Sequence, residues 1–130
     1  MARQLYNEFV EIDPANVDFV SRRGYCYKVS GASKKAMADF DKAIILAPDE
    51  HQHYGNRGQL HLDLKEYKAA FEDYNKAVEL TQMRNPKYVN NRGWASLQLG
   101  NSEDACKDFT YASEHGNPVS KINIDRYCNK

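Results

Sequence analysis

Four histidines, three cysteines and three regularly spaced arginines are the residues of this chain with the chemistry to bind a metal, attack a substrate or hold a phosphate. His51 and His53 stand two apart, which on a helix turns them to different sides, whereas a helical metal pair requires a spacing of four. His53 and Arg57 could share a face with His61, but His61 falls on a packing position and reads as a core residue making one hydrogen bond. His115 takes an apolar position at a helix end, where the last carbonyls favour a cation. Cys26, Cys106 and Cys128 are an odd set with no C-x-x-C spacing, so neither a disulfide framework nor a zinc cluster is expected. Reduced thiols packed as small hydrophobes are the expectation. No Gly-rich phosphate loop or G-x-S-x-G elbow occurs. No catalytic residue, metal ligand or cofactor is therefore expected, and the chain reads as a non-enzyme.

The arginines need a separate argument. Arg23, Arg57 and Arg92 follow one another at 34 and 35 residues, and such a register could build a ladder for phosphates. Asp39, Asp73 and Asp108 repeat with the same spacing, however, and offer each guanidinium a carboxylate, while the arginine stems cover apolar surface. Charge agrees with pairing: 18 Lys+Arg balance 18 Asp+Glu over 130 residues, so the basic excess that neutralises nucleic acid is missing. No run approaches the ~18 apolar residues of a membrane span, and the start MARQLYNEFVEID lacks the plan of a secretory signal, so a soluble, cytoplasmic chain is expected.

The same period governs the elements that must position these residues. Gly24, Gly58 and Gly93 follow the arginines directly, and Phe40, Tyr74 and Phe109 follow the aspartates. Ala36, Ala70 and Ala105 form one further column and Ala43, Ala77 and Ala112 another. Each unit reads as two helices. Val17, Val20, Gly24 and Tyr27 lie on one face of the first, which stops at Ser30-Gly31. The second carries Ala36, Met37, Phe40, Ala43, Ile44 and Leu46 until Pro48, with Ser33 as the expected N-cap; Ser102 is the expected cap in the third unit. Glycine inside a helix costs about 1 kcal/mol against alanine, so three at one register imply a neighbouring helix too close for a Cβ. An all-α stack of antiparallel helix pairs follows.

These residues resemble the tetratricopeptide repeat family, whose pattern runs Trp-x2-Leu-Gly-x2-Tyr, then Ala-x3-Phe, then Pro. Gly24, Tyr27, Ala36, Phe40 and Pro48 match it in the first unit, with Val20 and Arg23 in place of the Trp and Leu; the second and third keep Gly58, Ala70, Tyr74 and Gly93, Ala105, Phe109, with His61 and Ser96 in the Tyr column. The resemblance implies a right-handed superhelical solenoid forming a single domain over residues 1–130. Its expected parts are a half repeat over 1–15 (second helix only), full repeats over 17–50, 51–85 and 86–118, and a closing helix over 119–130.

It also implies a protein-binding scaffold that takes an extended peptide or partner helix in the concave groove lined by the first helices. The expected groove residues are Arg22, Tyr25, Gln52, Asn56, Gln59, Lys87, Asn90, Asn91 and Trp94. Their amides suit the backbone of an extended partner, because a carboxamide donates and accepts at once. Some domains of the family grip the terminal carboxylate of chaperone tails with five residues: Asn56 and Lys87 agree with that clamp, whereas Ser21, Tyr25 and Asn91 replace a Lys, an Asn and the Arg. Two of five makes a poor clamp. The half repeat leaves a second expectation, a self-assembling structural module or homodimer in which another copy supplies the missing helix, since Leu5, Phe9 and Val10, apolar on both sides of a terminal helix, would be unsatisfied in a monomer.

Overall fold

The computed structural model describes residues 2–129. Met1 and Lys130, which the expected half repeat and closing helix include, lie outside the described residues, as does the side chain of Ala2. The described residues form eight helices and no strand: α1 Ala2–Ile12, α2 Val17–Val29, α3 Ser33–Leu46, α4 His51–Asp63, α5 Tyr67–Leu80, α6 Pro86–Gln98, α7 Ser102–Glu114 and α8 Pro118–Tyr127. Sequential neighbours pack on one another, most extensively as the pairs α2/α3, α4/α5 and α6/α7, which makes a solenoid of helix pairs.

The first helices of the pairs, α4 apart, start differently from the second. Helices α2, α6 and α8 are capped by asparagine: Asn16, Asn85 and Asn117 accept hydrogen bonds from the backbone N–H groups of Phe19, of Lys87 and Tyr88, and of Ser120. Proline follows the cap in α6 and α8, where its missing N–H is not needed. The second helices start without a side-chain cap, and here the expected Ser33 and Ser102 caps are corrected: both are the first helical residue, behind Ala32 and Asn101. The reason is the tightness of the turn. Ala32, Glu66 and Asn101 each donate back to the preceding helix, at Tyr27, His61 and Ser96, while their own carbonyls accept from Ala36, Ala70 and Ala105. One residue closes a helix and opens the next, and the residue before it (Gly31, Lys65, Gly100) takes a positive φ to allow this.

Between the paired helices the small-residue columns do what their spacing predicts. Ala36, Ala43, Ala70, Ala77, Ala105 and Ala112 are fully buried, as are the rings of Phe40 and Phe109. A Cβ on Gly24 would stand 2.9 Å from Phe40 Cε1, and one on Gly93 2.9 Å from Asp108 Cβ, so side chains at these crossings would force the helices apart. At the N-terminal end Val10 is buried with Val20 and Ala43, and Phe9 stacks on Phe19 with ring centroids 4.8 Å apart. Most of the apolar side of α1 is thus covered by α2, while Leu5 and Ile12 stay exposed.

At the other end the structure corrects the cysteine expectation: Cys106 on α7 and Cys128, just after α8, form a disulfide, their Cα atoms 5.8 Å apart, and Cys26 alone is free. The pair joins neighbouring helices through a separation of 22 residues, for which no short motif exists.

Candidate functional site

The arginine register is satisfied internally. Arg23, Arg57 and Arg92 each hold one aspartate with two parallel hydrogen bonds, Nε and Nη2 to the Oδ2 and Oδ1 of Asp39, Asp73 and Asp108, at 2.7–2.9 Å. These carboxylates raise the three arginine pKa values above the ordinary one, against the opposing effect of burial. The remaining nitrogen, Nη1, reaches the preceding helix pair, at Asn7 (3.4 Å), Asp41 (2.9 Å) and Asn75 (3.0 Å). Those acceptors are themselves 34 residues apart, a third column of the repeat. Each arginine therefore ties its own pair together and joins it to the one before. No guanidinium of this column is left for a phosphate.

The helix faces opposite this ladder form a cleft. Gln52, Asn56 and Gln59 of α4, Lys87 and Asn91 of α6 and Tyr25 of α2 line one cavity of about 360 Å³. Six of the nine expected groove residues are therefore brought together. Arg22 lies beside them, in an adjoining cavity with Asp18 and Gln52. Asn90 and Trp94 do not line this cavity: Asn90 is buried, its Oδ1 accepting from Ser120 Oγ at 2.7 Å and Asn123 Nδ2 at 3.1 Å, and Trp94, half-buried, packs edge-on against Tyr127. The closing helix α8 lies over Asn90 and Trp94 of α6.

Residues outside the expected set complete the cavity: Lys28, Asp63, Gly55, Tyr74 and Tyr88. Lys28 adds a second cation beside Lys87, and its Nζ lies 5.4 Å from the Tyr25 ring centroid. Asp63 accepts from Gln59 Nε2 at 3.0 Å and fixes that amide. Tyr88 shares a 2.9 Å hydrogen bond with His51 Nδ1 and Tyr74 donates to Gln59 Oε1 at 3.4 Å, and burial pushes both phenols up, so both stay protonated. Gly55 makes room for Tyr88, whose Cε1 would stand 2.8 Å from a Cβ there. A helix-interior glycine outside the Gly24 column was the signal in the sequence for that ring.

The other titratable candidates do not converge on the cleft. His61 meets Glu66 Oε1 at 2.9 Å and stands 3.6 Å from Asp73 Oδ2, and His115 caps α7, its Nδ1 2.8 Å from the Tyr111 carbonyl and its ring stacked on Tyr111. His53 is buried in the wall of the Arg22 cavity, and its Nδ1 has no hydrogen-bond partner among the described residues.

A sequence profile of the tetratricopeptide repeat family matches residues 52–82, which hold α4 and α5. Those residues form a tetratricopeptide repeat, and the chain has the tetratricopeptide repeat fold. Among curated relatives, the heat-shock protein cognate co-chaperone sgt12 of Aspergillus fumigatus is 33% identical over 78 residues, 60% of this chain and 23% of its own. Hsp70-Hsp90 organizing protein 3 of Arabidopsis thaliana is 31% identical over 74 residues, 57% of this chain and 13% of its own. The repeats here thus span less than a quarter of either relative. The solved first TPR of Spaghetti (RPAP3), bound to the HSP90 peptide SRMEEVD, superposes with a TM-score of 0.80 at 24% identity, covering 85% of this chain and 89% of its own. That likeness establishes the tetratricopeptide fold.

Proposed function

We propose that this tetratricopeptide repeat chain is a non-enzymatic protein-interaction module that holds an extended peptide in the cleft lined by α2, α4 and α6, with a carboxylate of the peptide at Lys28 and Lys87. The observation that carries this reading is the convergence of two lysines with Asn56, Asn91, Gln52 and Gln59 around one open cavity, where carboxamides, which donate and accept at once, suit an extended backbone. Co-chaperones among the relatives, and the HSP90 peptide on the similar repeat of Spaghetti, support a peptide as the partner. The departures at Ser21, Tyr25 and Asn91 remove the bidentate arginine contact, so the carboxylate is held by point charges and amides, and affinity is modest.

Fluorescence anisotropy with a labelled peptide ending in Glu-Glu-Val-Asp, as free acid and as terminal amide, tests the reading. The acid is expected to bind more tightly, and Lys87→Ala to remove the difference. Equal affinities for acid and amide, or affinities indifferent to both Lys87→Ala and Asn56→Ala, would refute it.

Self-association through α1 is the second reading, favoured by the exposure of Leu5 (48%) and Ile12 (81%). Light scattering over a concentration series decides it; a monomer throughout removes it.

A further inference from the structure

The cleft has a second cavity, of about 400 Å³, between α2 and the first turn of α4, and its charge is opposite to that of the first. Asp18 and Glu50 supply two carboxylates against the single guanidinium of Arg22, whereas the first cavity sets Lys28 and Lys87 against Asp63. Gln52 lines both, so they adjoin along one groove. Neither carboxylate is committed elsewhere. Asn16, not Asp18, caps α2, and Glu50 stands at the N-cap of α4 without a side-chain hydrogen bond to it. Among the described residues no ion pair uses Asp18, Glu50 or Arg22.

His53 supplies an independent observation. It lines this cavity, it is 6% exposed, and its Nδ1 is the buried side-chain polar atom without a partner among the described residues. A buried polar atom left unpaired is costly, and such groups mark places where a partner is missing. Burial lowers the His53 pKa against the pull of Glu50 and Asp18, so the ring is neutral near pH 7 and carries one bare nitrogen able to accept. A donor-rich cation entering this cavity meets both carboxylates and the neutral His53 ring in its wall.

We propose that this cavity receives a lysine or arginine side chain of the bound peptide, with the cation between Asp18 and Glu50 and within hydrogen-bonding reach of His53. The proposal rests on the groove reading and deepens it: the module selects a peptide with a basic residue lying a short distance along the chain from the acidic one at Lys28 and Lys87. Val17 and Ala47 in the cavity wall take the methylene stem, as apolar surface does for long cationic side chains.

The test walks one lysine through the upstream positions of a serine-rich peptide ending in Glu-Glu-Val-Asp, with norleucine as the uncharged isostere. At one position lysine is expected to bind about tenfold more tightly than norleucine, the range of a charge-assisted hydrogen-bonded contact. The preference is expected to vanish in the Asp18→Asn/Glu50→Gln double variant, whose altered residues are exposed and leave folding intact. No preference at any position, or one that survives the double variant, overturns the proposal. A preference for glutamate that disappears in Arg22→Ala would make the cavity an anion site and also overturn it. Nuclear magnetic resonance of the His53 ring, titrated with Ser-Lys-Ser and with its norleucine analogue, reads the cavity without the acidic tail. A shift with the lysine peptide alone supports the proposal even if the Glu-Glu-Val-Asp peptides fail to bind, which would refute only the carboxylate reading; an unmoved ring up to several millimolar refutes the proposal itself.

Discussion

Replacing Arg57 by methionine keeps an apolar stem against the helix and deletes the group that holds Asp73. That carboxylate is 4% exposed and accepts from Arg57 at 2.8 and 2.9 Å; once the guanidinium is gone, the next cationic candidate within reach is His61 Nε2 at 3.6 Å. Breaking a buried pair on one side costs about 3–5 kcal/mol. The arginine side chain is 25% exposed, so water enters beside Asp73 and the expected loss is nearer about 2–3 kcal/mol. Removing both charges in Arg57→Met/Asp73→Leu eliminates the stranded carboxylate as well, so the double variant is expected within about 1 kcal/mol of the parent. Asp41, on the outer side of the same arginine, is 51% exposed, and Asp41→Asn is expected to cost no more than about 1 kcal/mol. Urea unfolding followed by far-ultraviolet circular dichroism gives all four stabilities, provided the denaturant slope is unchanged. An Arg57→Met loss under about 0.5 kcal/mol, or a double variant no more stable than Arg57→Met, would refute the ladder as a source of stability.

Two further outcomes follow from the ends of the cleft. Burial lowers the folded pKa of His53 below the unfolded value near 6.5, so over the window that opens near pH 6.5 and runs down to the folded value the unfolded chain binds a proton that the folded one refuses. Stability is therefore expected to fall as the pH drops through that window and to fall less in His53→Leu; parallel pH profiles of the two proteins in urea would contradict this. Cys128→Ser opens a loop of 22 residues, worth about 3 kcal/mol in the chain-entropy account, and α8 is held otherwise by the polar contacts of Ser120 and Asn123 and by Tyr127 on Trp94. Hydrogen exchange of α8 amides is expected to accelerate ahead of α4 and α5; unchanged α8 protection would show that the helix docks without its tether.

What the sequence made legible was whatever recurred. The arginine, glycine, aspartate and alanine columns each demanded the same neighbour three times, and the structure supplies it each time: a carboxylate 16 residues on, a ring over the glycine, a buried methyl. The Asn7, Asp41 and Asn75 column was equally periodic, but its members differ in charge, which hid the acceptor they have in common. The single events were illegible. Asn90 belongs by register to the same face as Ser21 and Gly55, yet Ser120 and Asn123 of α8 bury it through hydrogen bonds that no column of the repeat records. The disulfide joins α7 to the end of that same helix, so it too lay outside the repeat. Lys28 and Tyr88 enter the cleft because α2 and α6 approach α4 from both sides, a geometry that no single column encodes.

The three joints of the arginine ladder differ in kind. Arg23 and Arg92 reach back to neutral asparagines, whereas Arg57 reaches back to the carboxylate of Asp41, so the joint between the α2/α3 and α4/α5 pairs is the ionic one. Both cavities of the cleft open across the facing helices of that joint, α2 and α4. In mechanical terms the solenoid is a spring with unequal couplings, and the one set by counter-charges lies behind its mouth. Dissolved salt, which screens an exposed ion pair and leaves an asparagine contact nearly untouched, is therefore expected to loosen that joint ahead of the other two.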